Sequence, residues 1–153
     1  MSDEALSPIQ TLRVIWGAVL MGLVTVMGVM VFLTLGGEPA EEAVNESGGL
    51  PIVSLIAAGL LITTIPAGYF VRNQVYKANW RGDAVTAEGY QKGNIVFYAL
   101  IEFPAVVAAI SVLVEGAVWP HLIPWLVTVG LLLVNFPTGG PTRDESPRLG
   151  ADG

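Results

Sequence analysis

Residues 14–35 read VIWGAVLMGLVTVMGVMVFLTL and contain no charged side chain. A helix needs about 20 predominantly apolar residues to cross the ~30 Å hydrocarbon layer of a bilayer. This stretch therefore predicts a membrane-spanning helix. The composition of the whole chain agrees, because 53% of its 153 residues are hydrophobic and 13% are charged, whereas soluble domains carry about 25% charged residues.

Three further apolar stretches continue the pattern. Residues 51–71 are also uncharged, residues 94–114 carry one glutamate, and residues 118–136 form the shortest run. Together the four runs predict an all-α fold, an integral membrane four-helix bundle within residues 1–137. The expected helices lie at about 14–35, 51–71, 94–114 and 118–136, and the Pro- and Gly-rich tail at 138–153 is expected to be disordered and cytoplasmic.

The residues before the first run have the features of a helix start. Ser7 suits the cap, Pro8 the first helical position, and Gln10 the capping box. A cleaved signal peptide has a basic start and a shorter apolar stretch, whereas this chain begins with acidic residues. The first helix is therefore expected to remain in the protein.

The basic residues predict the orientation of the helices, because cytoplasmic segments of membrane proteins hold the excess of Lys and Arg. The first and third connections between the runs contain neither residue type. All seven basic residues lie in the other flanks: Arg13, Arg72, Lys77, Arg81, Lys92, Arg143 and Arg148. Both chain termini are therefore expected on the cytoplasmic side.

The residue content also excludes several classes of function. A net charge of −6 argues against nucleic-acid binding, which needs basic residues to neutralise phosphates. The chain has no cysteine, so disulfides and thiolate chemistry are excluded. No nucleophile, zinc-protease, P-loop or dinucleotide motif is present, and no catalytic residue, metal or cofactor is expected. His121 is expected at the outer membrane interface without a ligand partner, and Glu115 is expected to be exposed.

One charged residue, Glu102, falls inside a predicted span. A charge in mid-membrane costs about 2.5–3.5 kcal/mol on insertion scales, so such a residue is a candidate for function. Thr25, Thr63 and Thr64 lie at comparable predicted depths and are expected as hydrogen-bond partners of its carboxyl. Three alanines on the same helical face, Ala99, Ala105 and Ala109, would let a neighbouring helix approach closely.

Some stretches resemble a group of small bacterial four-helix membrane proteins with no assigned activity. They are the segments at 12–16 and 21–22, Tyr90, Ile95, the segment at 99–102, and the segment at 135–138. This resemblance implies a bacterial inner-membrane protein and adds no mechanism. The stretch ALIEFPAVVAAI at 99–110 is also similar to the carboxylate helix of the rotor proteolipids of ion-translocating ATPases, although their carboxylate usually lies on an even-numbered helix.

Two functions remain open at this point. The chain is expected to be a non-enzymatic structural protein or an accessory subunit of a membrane assembly, with the lipid bilayer, further copies of itself or other membrane subunits as partners. The alternative is a small proton- or ion-coupled transporter, of the rotor-proteolipid type, that uses Glu102.

Overall fold

The structure is a computed structural model that describes residues 7–36, 52–81 and 84–142. Over these residues the chain is almost entirely helical. The elements in chain order are α1 (Pro8–Gly36), α2 (Ile52–Ala78), β1 (Trp80–Arg81), β2 (Ala84–Val85), α3 (Ala87–Val114) and α4 (Leu122–Val134). The predicted connection with four glutamates, at 36–50, lies outside the described residues from position 37 onward.

Three of the helices are long and apolar enough to cross a membrane, namely α1, α2 and α3. Each has 27 to 29 residues, which corresponds to about 40 Å at 1.5 Å per residue. Because the hydrocarbon layer is ~30 Å thick, each of these helices is about 10 Å longer than the layer is thick. The prediction of membrane-spanning helices is therefore confirmed for these three elements.

The ends of the long helices extend beyond the apolar runs. α1 begins at Pro8, α2 continues to Ala78, and α3 begins at Ala87, so each gains six or seven residues that hydropathy did not include. At the start of α1, the Gln10 backbone N–H donates to Ser7 Oγ at 3.3 Å, and the Ser7 N–H donates to Gln10 Oε1 at 3.0 Å. This reciprocal pair confirms the predicted capping box.

α4 is shorter than the predicted fourth span. It has 13 residues, or about 20 Å of helix, because the chain forms a loop and a turn around Pro120 before Leu122 and leaves the helix again at Asn135. The residues that follow α4 continue towards the start of α1. Arg13 Nε donates to the carbonyl oxygen of Pro137 at 3.2 Å.

The helices pack around α3, which is the most buried of the long helices. Half of its apolar window is buried, compared with 22% for α2 and 11% for α1. Fully buried side chains of α3, among them Phe97, Ile101 and Ala105, form the main core together with Leu12, Leu23 and Leu132. A second core cluster contains Met27, Ala109 and Val112.

α4 runs antiparallel to α1, and two indole groups define the register. Trp125 Nε1 donates to the carbonyl oxygen of Leu23 at 3.2 Å, and Trp16 Nε1 donates to that of Leu132 at 2.8 Å. The N-termini of α1 and α3 and the C-termini of α2 and α4 therefore lie at one end of the bundle. We call this the basic end, because Arg13, Arg72, Lys77, Arg81 and Lys92 all lie there.

Residues 138–142, the first part of the predicted disordered tail, are instead held at the basic end. The Val85 N–H donates to the carbonyl oxygen of Pro141 at 3.1 Å, and the Gly139 N–H donates to Tyr90 Oη at 3.4 Å. Val85 also forms a parallel bridge with Thr142, beside the two-stranded hairpin of β1 and β2. Hydropathy did not reveal this short hairpin. The rest of the predicted tail, residues 143–153, lies outside the described residues.

Candidate functional site

Glu102 lies on the outer side of the central helix. The residues three before, seven before and eleven after it are Ala99, Ile95 and Leu113, and all three are exposed on α3. Residues at this spacing share one face of a helix, and the Glu102 side chain is itself only partly buried. Glu102 therefore lies at the edge of the face that points away from the bundle. We call this face the α3 outer stripe, with residues Ile95, Ala99, Glu102 and Leu113.

Within residues 7–36, 52–81 and 84–142, the Glu102 carboxyl makes no hydrogen bond and no ion pair. The charged residues nearest to it along the chain are Lys92, ten residues earlier, and Glu115, thirteen residues later, at the C-terminal cap of α3. These separations correspond to about 15 Å and 20 Å along the helix axis. The carboxyl is therefore isolated from the other charged groups of its own helix.

The three expected threonine partners do not reach Glu102 in the described part of the chain. Thr63 Oγ1 donates within its own helix, to the carbonyl oxygens of Gly59 at 3.1 Å and Leu60 at 2.9 Å. Thr64 Oγ1 is buried without a partner among the described residues, and Thr25 is exposed on α1. Similar predicted depth therefore did not produce a hydrogen bond between these side chains and Glu102.

The three alanines near Glu102 do not share one environment. Ala105 and Ala109 are buried in the bundle, with 0% and 1% of their surface exposed, whereas Ala99 is exposed. The close approach that small residues allow therefore serves intramolecular packing at two positions. At Ala99, which is exposed, the small side chain does not contribute to packing within the bundle.

The strongest polar cluster lies at the basic end, around Arg72 and Asn135. Arg72 Nη1 donates to Asn135 Oδ1 at 2.8 Å, and Asn135 Nδ2 donates to Tyr69 Oη at 2.9 Å. Tyr98 Oη donates to the Asn135 backbone carbonyl at 2.9 Å. Because Arg72 and Tyr69 belong to α2 and Tyr98 to α3, Asn135 connects the end of α4 to both helices.

Aromatic rings surround the guanidinium of Arg72. Its central carbon lies 4.6 Å from the ring centroids of both Tyr69 and Phe97, and 5.8 Å from that of Tyr76. Cations are attracted to the faces of such rings, and the attraction grows when both groups are removed from water. No carboxylate pairs with Arg72 among the described residues. The positive charge is therefore held by rings and an amide.

A second set of contacts extends this cluster towards the start of α3. Asn94 Nδ2 lies 2.6 Å from Tyr76 Oη and 2.8 Å from the Tyr90 carbonyl oxygen, and it donates to both. The rings of Tyr76 and Tyr90 stack with centroids 5.8 Å apart. From the sequence, the aromatic and basic residues between α2 and α3 indicated only side chains that anchor helix ends at the membrane interface. The alternation of Arg, Asn and Tyr at helical spacing is the signal that could have indicated an inward polar face.

The opposite end of the bundle contains a buried histidine–glutamate pair. His121 is completely buried, and its Nε2 atom lies 3.0 Å from Glu115 Oε2. The other carboxylate oxygen of Glu115 accepts the backbone N–H of Val53 at 2.8 Å, in the first turn of α2. The expectation that His121 has no ligand partner and that Glu115 is simply exposed was therefore wrong. The turn before α4 folds the histidine back onto the end of α3.

An open groove of about 460 Å³ lies at the basic end, between the ends of the three long helices. Its wall is formed by Pro8, Ala78, Asn79, Arg81, Thr86, Ala87 and Glu88. Glu88 is already paired with Lys92 at 2.7 Å. None of the lining side chains is both buried and without a hydrogen-bond partner in the described part of the chain. The groove therefore shows no polar group waiting for a ligand.

Replacement of Asn135 tests the basic-end cluster. Asn135→Ala removes the acceptor of Arg72 and the donor of Tyr69, so we expect the free energy of unfolding to fall by about 1–3 kcal/mol. The matched control is Asn73→Ala, because Asn73 is exposed one residue after Arg72 and its loss should change stability by less than about 0.5 kcal/mol. Thermal unfolding in mild detergent, followed by circular dichroism, measures both. Equal melting temperatures for the two variants would contradict this role of Asn135.

Replacement of Glu115 tests the pair at the opposite end. Glu115→Ala leaves buried His121 without its carboxylate neighbour and the Val53 N–H without its acceptor, and we expect a loss of about 1–3 kcal/mol. Glu88→Ala is the control, because it breaks an ion pair whose side chains are 61% and 71% exposed and such pairs contribute about 0–1 kcal/mol. The same unfolding experiment compares the two. If Glu88→Ala lowered the stability as much as Glu115→Ala or more, Glu115 would not act as a structural link at this end of the bundle.

No protein-family model, curated protein or solved structure matches this chain. The resemblances drawn from short stretches of sequence therefore stay predictions. Two features of the geometry bear on function. The Glu102 carboxyl lies on the α3 outer stripe without a partner among the described residues, and polar clusters around Asn135 and Glu115 join the helices at the two ends of the bundle.

Proposed function

We propose that this chain is a non-enzymatic protein of the bacterial inner membrane that crosses the bilayer four times, with both termini in the cytoplasm. We further propose that it acts as a structural protein or accessory subunit of a membrane assembly. The observation that carries the second statement is the position of Glu102, on the outer surface of the bundle and without a partner among the described residues.

The distribution of charge supports the proposed orientation. All five basic residues of the described chain lie at the basic end, where α1 and α3 begin and where α2 and α4 end. Segments rich in Lys and Arg stay on the cytoplasmic side. α4 begins beside the His121–Glu115 pair at the opposite end, and the chain after it reaches Arg13 at the basic end, so this short helix and its flanks supply the fourth crossing.

Single cysteines test this orientation, because the native chain contains none. We expect Ser47→Cys, in the acidic connection, to react in intact cells with a maleimide that cannot cross the membrane. Asn73→Cys, at the basic end, should react only after the membrane is permeabilised. The reverse labelling pattern would place the termini outside the cytoplasm.

The environment of Glu102 favours a role in assembly. A charged or polar group that faces lipid is costly, and such groups in membrane proteins pair with one another or with other polar groups. The two polar clusters lie at the ends of the bundle, and neither includes Glu102. We infer that the carboxyl meets a hydrogen-bonding group from outside the chain.

A proton-coupled role is the second candidate, and the same outward position favours it. A carboxyl at the surface of one subunit can exchange a proton with groups on a neighbouring subunit as the two move past each other. Against this role, a relay needs a chain of titratable groups. The charged residues nearest to Glu102 along the chain, Lys92 and Glu115, are about 15 Å and 20 Å away along the helix axis.

Proton flux in reconstituted vesicles separates the two candidates. We expect vesicles with the wild-type chain to acidify under an imposed potential at the same rate as vesicles with Glu102→Gln. The two proteins must be inserted in equal amount, and protein-free vesicles give the background leak. A wild-type flux that Glu102→Gln abolishes would overturn the structural role and support the proton-coupled one.

A further inference from the structure

We propose that Arg13 and Arg72 bind the headgroup phosphate of an anionic phospholipid at the basic end of the bundle, beside the last residues of α4. This inference goes beyond the proposed role in a membrane assembly and does not depend on Glu102. It gives the two guanidiniums a partner of stated chemistry, a lipid whose headgroup has a net negative charge.

Both arginines lie at the edge of the hydrocarbon layer. Arg13 directly precedes the uncharged run at 14–35, and Arg72 directly follows the uncharged run at 51–71. As helices these runs are about 32 Å long, which is close to the ~30 Å thickness of the layer. Lipid phosphates lie just outside that thickness, and the flexible stem of an arginine lets its charged head reach them.

The two guanidiniums, which belong to α1 and α2, contact the same short segment at the end of α4. Arg13 Nε donates to the Pro137 carbonyl oxygen at 3.2 Å, and Arg72 Nη1 donates to Asn135 Oδ1 at 2.8 Å. The Cα atoms of residues 135 and 137 are at most about 7 Å apart, because two residues of extended chain span no more. The fold thus brings two positive charges from separate helices to one place at the membrane boundary.

Neither guanidinium has a carboxylate partner in the described part of the chain. The one carboxylate at the basic end among these residues, Glu88, pairs with Lys92 at 2.7 Å. Arg13 is exposed and Arg72 is only partly buried, so an anion at the membrane surface can approach both. Two like charges held near each other repel, and a phosphate that accepts from both offsets this repulsion. The planar fork of arginine matches the phosphate oxygens.

Apolar residues at the end of α4 provide a surface for the acyl chains of the same lipid. Leu133, Val134 and Phe136 are 53%, 84% and 41% exposed. The central guanidinium carbon of Arg13 lies 5.8 Å from the Phe136 ring centroid, so the charged site and the apolar surface adjoin. A phospholipid has its groups in the same order, with the phosphate next to the acyl chains, and basic sites between membrane helices bind such headgroups. A free anion would use the arginines alone.

Lipid titration tests this site. The full chain in mild detergent is titrated with phosphatidylglycerol, and native mass spectrometry measures the bound lipid. We expect one phosphatidylglycerol to bind about tenfold more tightly than phosphatidylcholine with the same acyl chains, because only the former brings a net charge to the two arginines. Inorganic phosphate at the same concentrations should not displace it.

Replacement of one arginine locates the site. Arg13→Gln should lower the affinity for phosphatidylglycerol about tenfold, because it removes one of the two charged contacts. Lys77→Gln is the matched control, since Lys77 is exposed in the last turn of α2 and lies about 140° around that helix from Arg72. At 0.15 M salt, where charges beyond ~8 Å are screened, the control should change the affinity less than about twofold. The double variant Arg13→Gln/Arg72→Gln should bind both lipids equally.

Each outcome supports or overturns the proposal. Equal affinities of the wild-type chain for the two lipids would overturn it. Equal losses from Arg13→Gln and Lys77→Gln would also overturn it, because they would indicate a general attraction to a basic surface. Displacement of the lipid by inorganic phosphate would identify an anion site and not a lipid site. If the double variant does not fold, as judged by circular dichroism, Arg13→Gln and its control decide the question. The proposed subunit role stands apart from these results.

Discussion

Asn135 is the contact on which the arrangement of this protein most depends. Its side-chain amide binds Arg72 and Tyr69 of α2, and its backbone carbonyl accepts from Tyr98 of α3. α4 has 13 residues and is too short to be held across a bilayer by hydrophobic length alone. Hydrogen bonds of Asn135 at its C-terminal end hold it in place. Two tryptophan hydrogen bonds also link it to α1, because Trp125 Nε1 donates to the Leu23 carbonyl and Trp16 Nε1 donates to the Leu132 carbonyl. In a membrane, where the lipid is as apolar as the side chains, such polar links select the partner helices.

Polar contacts join the helices at both ends of the bundle, but the side chains that make these contacts differ between the two ends. At the basic end the guanidinium of Arg72 rests against aromatic rings and an amide, and at the opposite end Glu115 joins His121 to the first turn of α2. The middle of the bundle is packed with apolar side chains. Glu102 is the exception, because it lies at this level but on the outside. Polar groups join the helices at both ends of the bundle, whereas the Glu102 carboxyl has no partner among the described residues.

Particular residues show where prediction from the sequence succeeded and where it failed. The uncharged runs in α1 and α2 predict helices because an apolar segment of that length must satisfy its backbone hydrogen bonds internally. Ser7 predicts the start of α1 because its hydroxyl accepts a local backbone N–H. His121 was misjudged because its partner, Glu115, is brought to it by a turn. The inward role of Arg72 was missed for a similar reason, since hydropathy counts its charge and ignores the rings that approach from α2 and α3.

The sequence by itself determined that this is a helical membrane protein, that it has four apolar runs, that the basic residues lie in alternate connections, and that one carboxyl falls within the third run. These properties follow from length, hydropathy and charge, which are local. The tertiary structure decided that α3 is central, that α4 is short and held by Asn135, and that Glu102 lies at the outward-facing edge while Ala105 and Ala109 are buried. Those outcomes depend on which sides of the helices meet, and in uniformly apolar helices side-chain packing and a few polar contacts set that choice, with no periodic pattern to reveal it.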